Sequence, residues 1–183
     1  MELDVGSDES CAKLKSQLKE LQIDRIDILI NNAGIGMFDD LTTENLTKEA
    51  LNQFNVNALG PLRVTKAIHS LLKKSSELDR LPKVINLSSK MGSCANNLSG
   101  RYYGYRASKA AENIISISLA RDMNKDGICC ILINPGLIKT RMNDNNGDMD
   151  PNEAVSMMVK LIDQAKIEDG DKFFNRDGNI IPW

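Results

Sequence analysis

Three times in this chain a short β-rich run ends in a cluster of small polar residues, and that repetition constrains the fold more than any other feature. Ile26–Ile30 leads into Asn31-Asn32-Ala33-Gly34, Lys83–Leu87 into Ser88-Ser89, and Ile128–Ile133 into Asn134-Pro135-Gly136. The stretches between carry helical apolar spacing. Ser10–Leu21 places Leu14, Leu18 and Leu21 on one face, and Thr43–Lys74 reads as a long helical region with Thr43 as its cap. Pro61 must kink or break that region. Tyr103–Met123 is a third helix, and Pro151 opens a last one with Val155, Met158, Val159 and Ile162 on one side. Asp144–Asp150 is expected to be mobile, Lys172–Phe174 to form a final short strand, and Asp177-Gly178 to turn. Strands alternating with helices predict an α/β fold, a doubly wound parallel sheet covered on both faces, in one domain over residues 1–183. Ligands bind such sheets at the carboxyl ends of the strands, so the three polar clusters share one address.

The remaining composition removes other classes of function. A net charge of -2 gives no basic excess for nucleic acid or an anionic membrane surface. No apolar run approaches the ~20 residues of a membrane span, and the polar, acidic start is not a signal peptide, so the expected compartment is the cytoplasm. Cys11, Cys94, Cys129 and Cys130 form no CxxC pair, and with His69 as the single histidine no metal site is expected. Cys129 and Cys130 lie in an apolar run and read as small buried hydrophobes. The sequons at Asn45, Asn86 and Asn97 read as coincidence.

Within the third helix, Tyr105 and Lys109 stand four residues apart and therefore share a face. A phenol beside an ammonium is a usable general acid, because the positive charge stabilises the phenolate that proton donation leaves. The spacing selects among three neighbouring tyrosines: Tyr102 has Arg106 at the fourth position and Tyr103 has Ala107, so Tyr105 alone has a lysine there. A Tyr and a Lys along an ordinary amphipathic helix would look the same, so the pair gains weight only from its company.

That company resembles the short-chain dehydrogenase/reductase family, over essentially Leu3 to Trp183. Its NNAG motif matches Asn31–Gly34, its strand-end Ser-Ser matches Ser88-Ser89, and its YxxxK matches Tyr105–Lys109. Its active-site asparagine matches Asn57, and its Pro-Gly motif with a downstream threonine matches Pro135, Gly136 and Thr140. Tyr-Gly-Tyr-Arg-Ala-Ser-Lys and the ending Phe-Phe-Asn-Arg-Asp-Gly-Asn-Ile-Ile-Pro-Trp are similar to the sniffer and C-factor carbonyl-reductase-like branch.

The resemblance implies a Rossmann-like sheet and NAD(P)H-dependent reduction of a small carbonyl compound, or the reverse alcohol oxidation, with NADP(H) favoured over NAD(H). Tyr105 would protonate the carbonyl oxygen, Lys109 would assist it and hold the nicotinamide ribose, and Ser89 would orient the substrate oxygen. Asn57 would anchor a water in a relay to Lys109. Asp4 and Val5 would contact adenine, and Asn32, Ala33 and Gly34 would line the ribose side. Pro135, Gly136, Ile138 (through its backbone) and Thr140 would contact the nicotinamide end. Cys94–Gly100 and Met142–Asp150 would border the substrate cleft. A homo-oligomer would form through the helices over residues 57–74 and 105–123.

One departure from the family is large. Its members open with a strand, a Gly-rich turn and further βα structure, roughly 60 residues if counted as two ~30-residue units that share elements. Here the G-x-G is Gly34-Ile35-Gly36 inside NNAG, with Asp39 where a third glycine belongs, so it is not a displaced phosphate fingerprint. The expectation is an N-terminally truncated Rossmann-like domain with a bare strand edge at Ile26–Ile30 and a first helix short of packing partners. The alternative is a catalytically inactive truncated isoform, or an incomplete gene model, acting as an interaction subunit if at all. A flavodoxin-like binding domain is disfavoured because it gives no reason for Asn57, Ser89, Tyr105 and Lys109 to occur together.

Overall fold

The computed structural model describes residues 1–140 and 143–183. Helix α1 spans Asp8–Glu20, with the Ser7 hydroxyl accepting the Ser10 N–H at its start. Strand β1 spans Ile28–Asn31, and α2 spans Leu46–Phe54. Thr43 does not cap α2: its hydroxyl accepts the Asp40 N–H at 2.9 Å, and Asn45 precedes the helix in left-handed conformation with no side-chain cap. A π-helical turn over Asn55–Leu59 then joins α2 to α3, Gly60–Ser76. Pro61 lies in the first turn of α3. It offers no N–H to the carbonyl four residues back, and its ring crowds that carbonyl, so the helical path widens there instead of ending.

β2 spans Lys83–Leu87, α4 Tyr103–Asn124, β3 Cys129–Asn134, α5 Pro151–Gln164 and β4 Phe173–Asn175. The four strands lie in the order β1-β2-β3-β4, every pair parallel. Their carboxyl ends, and so all three polar clusters, therefore lie at one edge.

Alternation along the strands feeds two cores. Val84 and its register partner Cys130 face α1, α3 and α4, where Cys11, Leu14, Leu18, Val64, Ile68, Leu72 and Met123 are buried. Ile85 and Ile131, one residue on, join Ile133, Met158 and Ile162 on the α5 side. Each such aliphatic side chain removed from water stabilises the fold by roughly 1.5–3 kcal/mol. Helix α1 packs on α3 through Leu14 and Leu18, while Leu21, expected on the same face, is exposed.

β1 is paired on one side, and its Ile28 and Ile30 are 49% and 51% exposed, in line with the expected bare edge. Asp148 and Met149, expected in a mobile stretch, are tied to Leu137 and Lys139 by backbone hydrogen bonds of 2.9 and 3.1 Å. Cys129 and Cys130 are buried as expected, and burial pushes their thiols up to about 11 and about 12. Among the described residues no group of side chains could hold a metal ion, and no helix is long and apolar enough to cross a membrane.

Candidate active site

The helix that carries Tyr105 has no cap of its own. Gly100, Arg101 and Tyr102 run into it in left-handed conformation, and Tyr102 supplies no side-chain cap. The buried carboxylate of Asp39 closes the helix from the loop after β1, accepting the N–H groups of Tyr103 and, at 3.1 Å, Gly104. A negative charge at that position also suits the positive end of the helix dipole. Tyr105 follows in the first turn, half-buried, and its hydroxyl has no hydrogen-bond partner among the described residues.

Asn57, fully buried in the π-helical turn, clamps this helix to the loop after β1. Its amide donates to the Ile35 carbonyl at 2.8 Å and to Ser108 Oγ at 2.9 Å, and its Oδ1 accepts the Ile35 N–H at 2.8 Å. Ser108 Oγ in turn donates to the Tyr105 carbonyl at 2.8 Å. The side chain of Asn57 is thus spent on fixing backbone around Tyr105, and it makes no direct bond to Lys109.

The two serines after β2 part company. Ser88 is buried and donates to Asn113 Oδ1 at 2.6 Å. Ser89 is half-buried, its oxygen accepts the Met91 N–H at 3.2 Å, and its hydroxyl proton is uncommitted among the described residues. The short 3-10 turn Lys90–Gly92 that Ser89 opens lies hard against α4. A Cβ on Gly92 would come 2.7 Å from the backbone carbon of Lys109, so only glycine permits that approach. Asn134 at the end of β3 accepts the Lys90 N–H at 3.0 Å and so ties the serine turn to the third polar cluster.

Lys109 is 5% exposed. Its ammonium donates to the Leu87 carbonyl at 2.9 Å and to Glu112 Oε2 at 2.7 Å. Burial pushes the Glu112 carboxyl up to about 7 against the opposing pull of the Lys109 charge. Sequence reasoning assigned no role to Glu112. The signal was its place with Ser108, Ser116 and Ala120 on the buried face of α4, where an acid needs a partner.

Further around the strand ends, Gly136 adopts a φ of +79°, and a Cβ there would run into the Arg176 guanidinium. That side chain donates to the Pro135 carbonyl at 3.0 Å, while its backbone N–H reaches Asn134 O at 2.9 Å. Asn143 holds the next turn, donating to Ile138 O at 2.8 Å and accepting the Thr140 N–H at 3.1 Å. Met142, expected at the start of the second cleft border, lies outside the described residues. Arg106 pins the first border, reaching Ser99 Oγ at 3.0 Å, and the Ala95 N–H bonds the Trp183 carbonyl at 3.0 Å.

The segment Asp4–Gly6 packs on the π-helical turn and the start of α3. The Gly6 carbonyl accepts from Asn55 at 2.9 Å, and Val5 packs on Gly60. Asn32 and Ala33 are exposed at the end of β1, and the Asn57 amide oxygen lies 3.4 Å from where a Gly34 Cβ would stand. The polar residues after β1, β2 and β3 thus gather at the strand ends around Lys109, with the Asn134 side chain bonded to the serine turn. They do not fit a dinucleotide pyrophosphate in the usual way, since β1 runs into a long loop and not directly into a helix N-terminus.

A family model described as "short chain dehydrogenase" matches residues 1–151. Among curated proteins, the chain is 36% identical over 159 residues to "C-signal" of Myxococcus xanthus, covering 86% of this chain and 93% of that one. It is 32% identical over 186 residues to "1-hydroxy-2-glutathionyl-2-methyl-3-butene dehydrogenase" of Rhodococcus sp. (strain AD45), covering 99% of this chain and 78% of the relative. Among solved structures, "Carbonyl reductase Sniffer of D. melanogaster" superposes with a TM-score of 0.93 at 29% identity, covering 100% of this chain and 77% of that one. An NADPH-bound carbonyl reductase from chicken fatty liver gives 0.90 at 29%, covering 99% and 75%.

Proposed function

The chain belongs to the short-chain dehydrogenase/reductase family of oxidoreductases, and from that membership we propose that it uses NADP(H) to reduce a small carbonyl compound, or to oxidise the corresponding alcohol. The observation that carries the proposal is the convergence on one helix. Tyr105 and Lys109 share a face of α4, Asn57 clamps the helix through Ser108, and Gly92 brings the Ser89 turn onto its backbone at Lys109. NADP(H) is favoured over NAD(H) by the NADPH-bound carbonyl reductase among the structural relatives.

A bound nicotinamide cofactor would supply or accept the hydride at the carbonyl carbon. The Ser89 hydroxyl donates to the carbonyl oxygen and holds it, an oriented dipole in a site already fixed by folding. The Tyr105 hydroxyl gives that oxygen its proton, and the Lys109 ammonium favours the phenolate left behind. Asn57 keeps Tyr105 in place through Ser108, and its widened turn is where a relay water to Lys109 would be held. Asn32, Ala33 and Gly34 border the ribose, Pro135, Gly136, Ile138 and Thr140 the nicotinamide amide, and Asp4 and Val5 the adenine. A homo-oligomer through the outer face of α3 and α4 is supported by exposed Ile114, which with Leu62 and Leu119 lines a shallow apolar groove.

Fluorescence titration with NADPH, followed by NADPH oxidation with a panel of aldehydes, ketones and quinones, tests the proposal. Saturable binding with turnover supports it. A folded chain that binds no nicotinamide cofactor contradicts it and favours an interaction subunit.

A further inference from the structure

A glutamate sealed from water against the proposed catalytic lysine is a costly arrangement unless its charge has a use. Glu112 is 1% exposed, lies on the same face of α4 one turn beyond Lys109, and bonds the ammonium at 2.7 Å. The Leu87 carbonyl takes a second ammonium proton from the strand side at 2.9 Å. The ammonium is therefore held between a full charge and a carbonyl dipole.

We infer that Glu112 is a positioning residue that sets how much of the Lys109 charge acts on Tyr105, so that carbonyl reduction is favoured when Glu112 is protonated and restrained when it is ionised. The inference rests on Tyr105 being the proton donor of the proposed function. With Glu112 neutral, the ammonium charge acts on the phenolate that forms as Tyr105 gives up its proton with no opposing carboxylate beside it. With Glu112 ionised, carboxylate and ammonium largely cancel at the phenol, and the driving force for donation falls. In a site shielded from water such a cancellation is not screened away as it would be on the surface.

The surroundings leave this switch to one pair. Among the described residues, Lys109 is the charge that acts on Glu112. On α4 itself, Tyr105 is the remaining titratable group of the site, and Ser108, Asn113 and Ser116 are neutral. From β2 come the Leu87 carbonyl and Asn86, whose amide donates to Ser116 Oγ at 2.7 Å. Lys83, at the far end of β2, donates instead to the Ile162 and Asp163 carbonyls. From β3 comes the Cys130 thiol, which burial keeps protonated. On α3, Arg63 is held by Asp8 and Asn55, and His69 and Lys73 by Asp126. Lys66 on the same helix is exposed, and Lys74 pairs with Asp24. On α2, which meets α4 at Gly104 through Ala50 and Gln53, Lys48 is exposed and Glu49 half-buried, and Lys90 is exposed on the serine turn. Since burial raises the Glu112 carboxyl to about 7, its ionisation falls in the neutral range.

Two measurements on the full chain decide the matter. In wild type carrying 13C-labelled lysine, with the Lys109 side-chain resonance assigned by its loss in Lys109→Arg, that resonance is expected to inflect near pH 7. The inflection should vanish in Glu112→Gln. In parallel, kcat/KM for NADPH-dependent carbonyl reduction should fall about three- to tenfold in wild type as pH rises through neutrality, and that limb should flatten in Glu112→Gln. A wild-type Lys109 resonance without a neutral inflection, or superimposable pH profiles for wild type and Glu112→Gln, overturns the inference. The wild-type resonance decides it even if the variant does not fold. If neither protein turns over while the inflection is present, the proposed oxidoreduction fails and the coupling of Glu112 to Lys109 stands.

Discussion

The Asp39 carboxylate accepts the Gly104 N–H at 3.1 Å, so the loop after the first strand closes the helix that bears Tyr105 across 65 positions of sequence. Because Tyr102 offers no cap, Asp39 is what satisfies the first N–H groups of α4. Asp39→Ala should cost about 1–2 kcal/mol of stability, the usual size of a lost cap. Chemical denaturation measures it, and kcat should fall with it as the first turn of α4 frays. An unchanged midpoint would mean that α4 is held by its packing alone.

Gly92 makes a second prediction. A Cβ added there has 2.7 Å to the nearest Lys109 backbone carbon, so the serine turn must move off α4. Gly92→Ala should lose about 1–3 kcal/mol of stability, the scale of overpacking. It should also lower kcat more than it raises KM, because Ser89 moves with the turn. Paired unfolding and steady-state measurements separate the two effects.

Glu112 fixes the sign of a pH dependence of stability. Its carboxyl ordinarily titrates at 4.5 and is raised to about 7 in the fold, so the native chain holds that proton more tightly than the unfolded chain. The contribution is fully present below pH ~4.5 and is lost as pH rises through about 7. Between pH 5 and pH 8 the melting temperature of wild type should therefore fall relative to that of Glu112→Gln, which has no such proton to lose. Parallel melting curves for the two proteins across that range would contradict the assignment.

Arg176 carries a fourth prediction. Its guanidinium lies over Gly136 and bonds the Pro135 carbonyl, so it buttresses the turn proposed to face the nicotinamide amide. Arg176→Ala should weaken NADPH binding several-fold with little change in fold. Fluorescence titration reads the loss directly, and an unaltered Kd would remove that turn from the cofactor site.

The sheet is legible in the sequence because its signals are local. β-rich runs such as Ile128–Ile133, each closed by a polar cluster, report strand, direction and ligand edge within a few residues. The Tyr105–Lys109 pair is legible for the same reason, since helical spacing alone puts both on one face. What escapes is long-range. The capping of α4 by Asp39 reaches across 65 positions, past the whole of β2, and the close approach of Gly92 to Lys109 depends on how a turn lies on a helix. Thr43 shows the converse failure. A good capping residue stands before an apolar run, yet its hydroxyl serves Asp40, and the helix begins at Leu46. On α1, helical spacing finds the buried Leu14 and Leu18 but also includes Leu21, which lies past the helix end and is exposed.

Tyr105→Phe, with NADPH affinity and carbonyl-dependent NADPH oxidation measured side by side with wild type, tests whether Tyr105 is the proton donor of a carbonyl reductase. NADPH binding should be comparable and turnover should fall about 100-fold or more, because the ring remains and only the transferable proton is gone. Turnover at the wild-type rate in Tyr105→Phe would contradict that role.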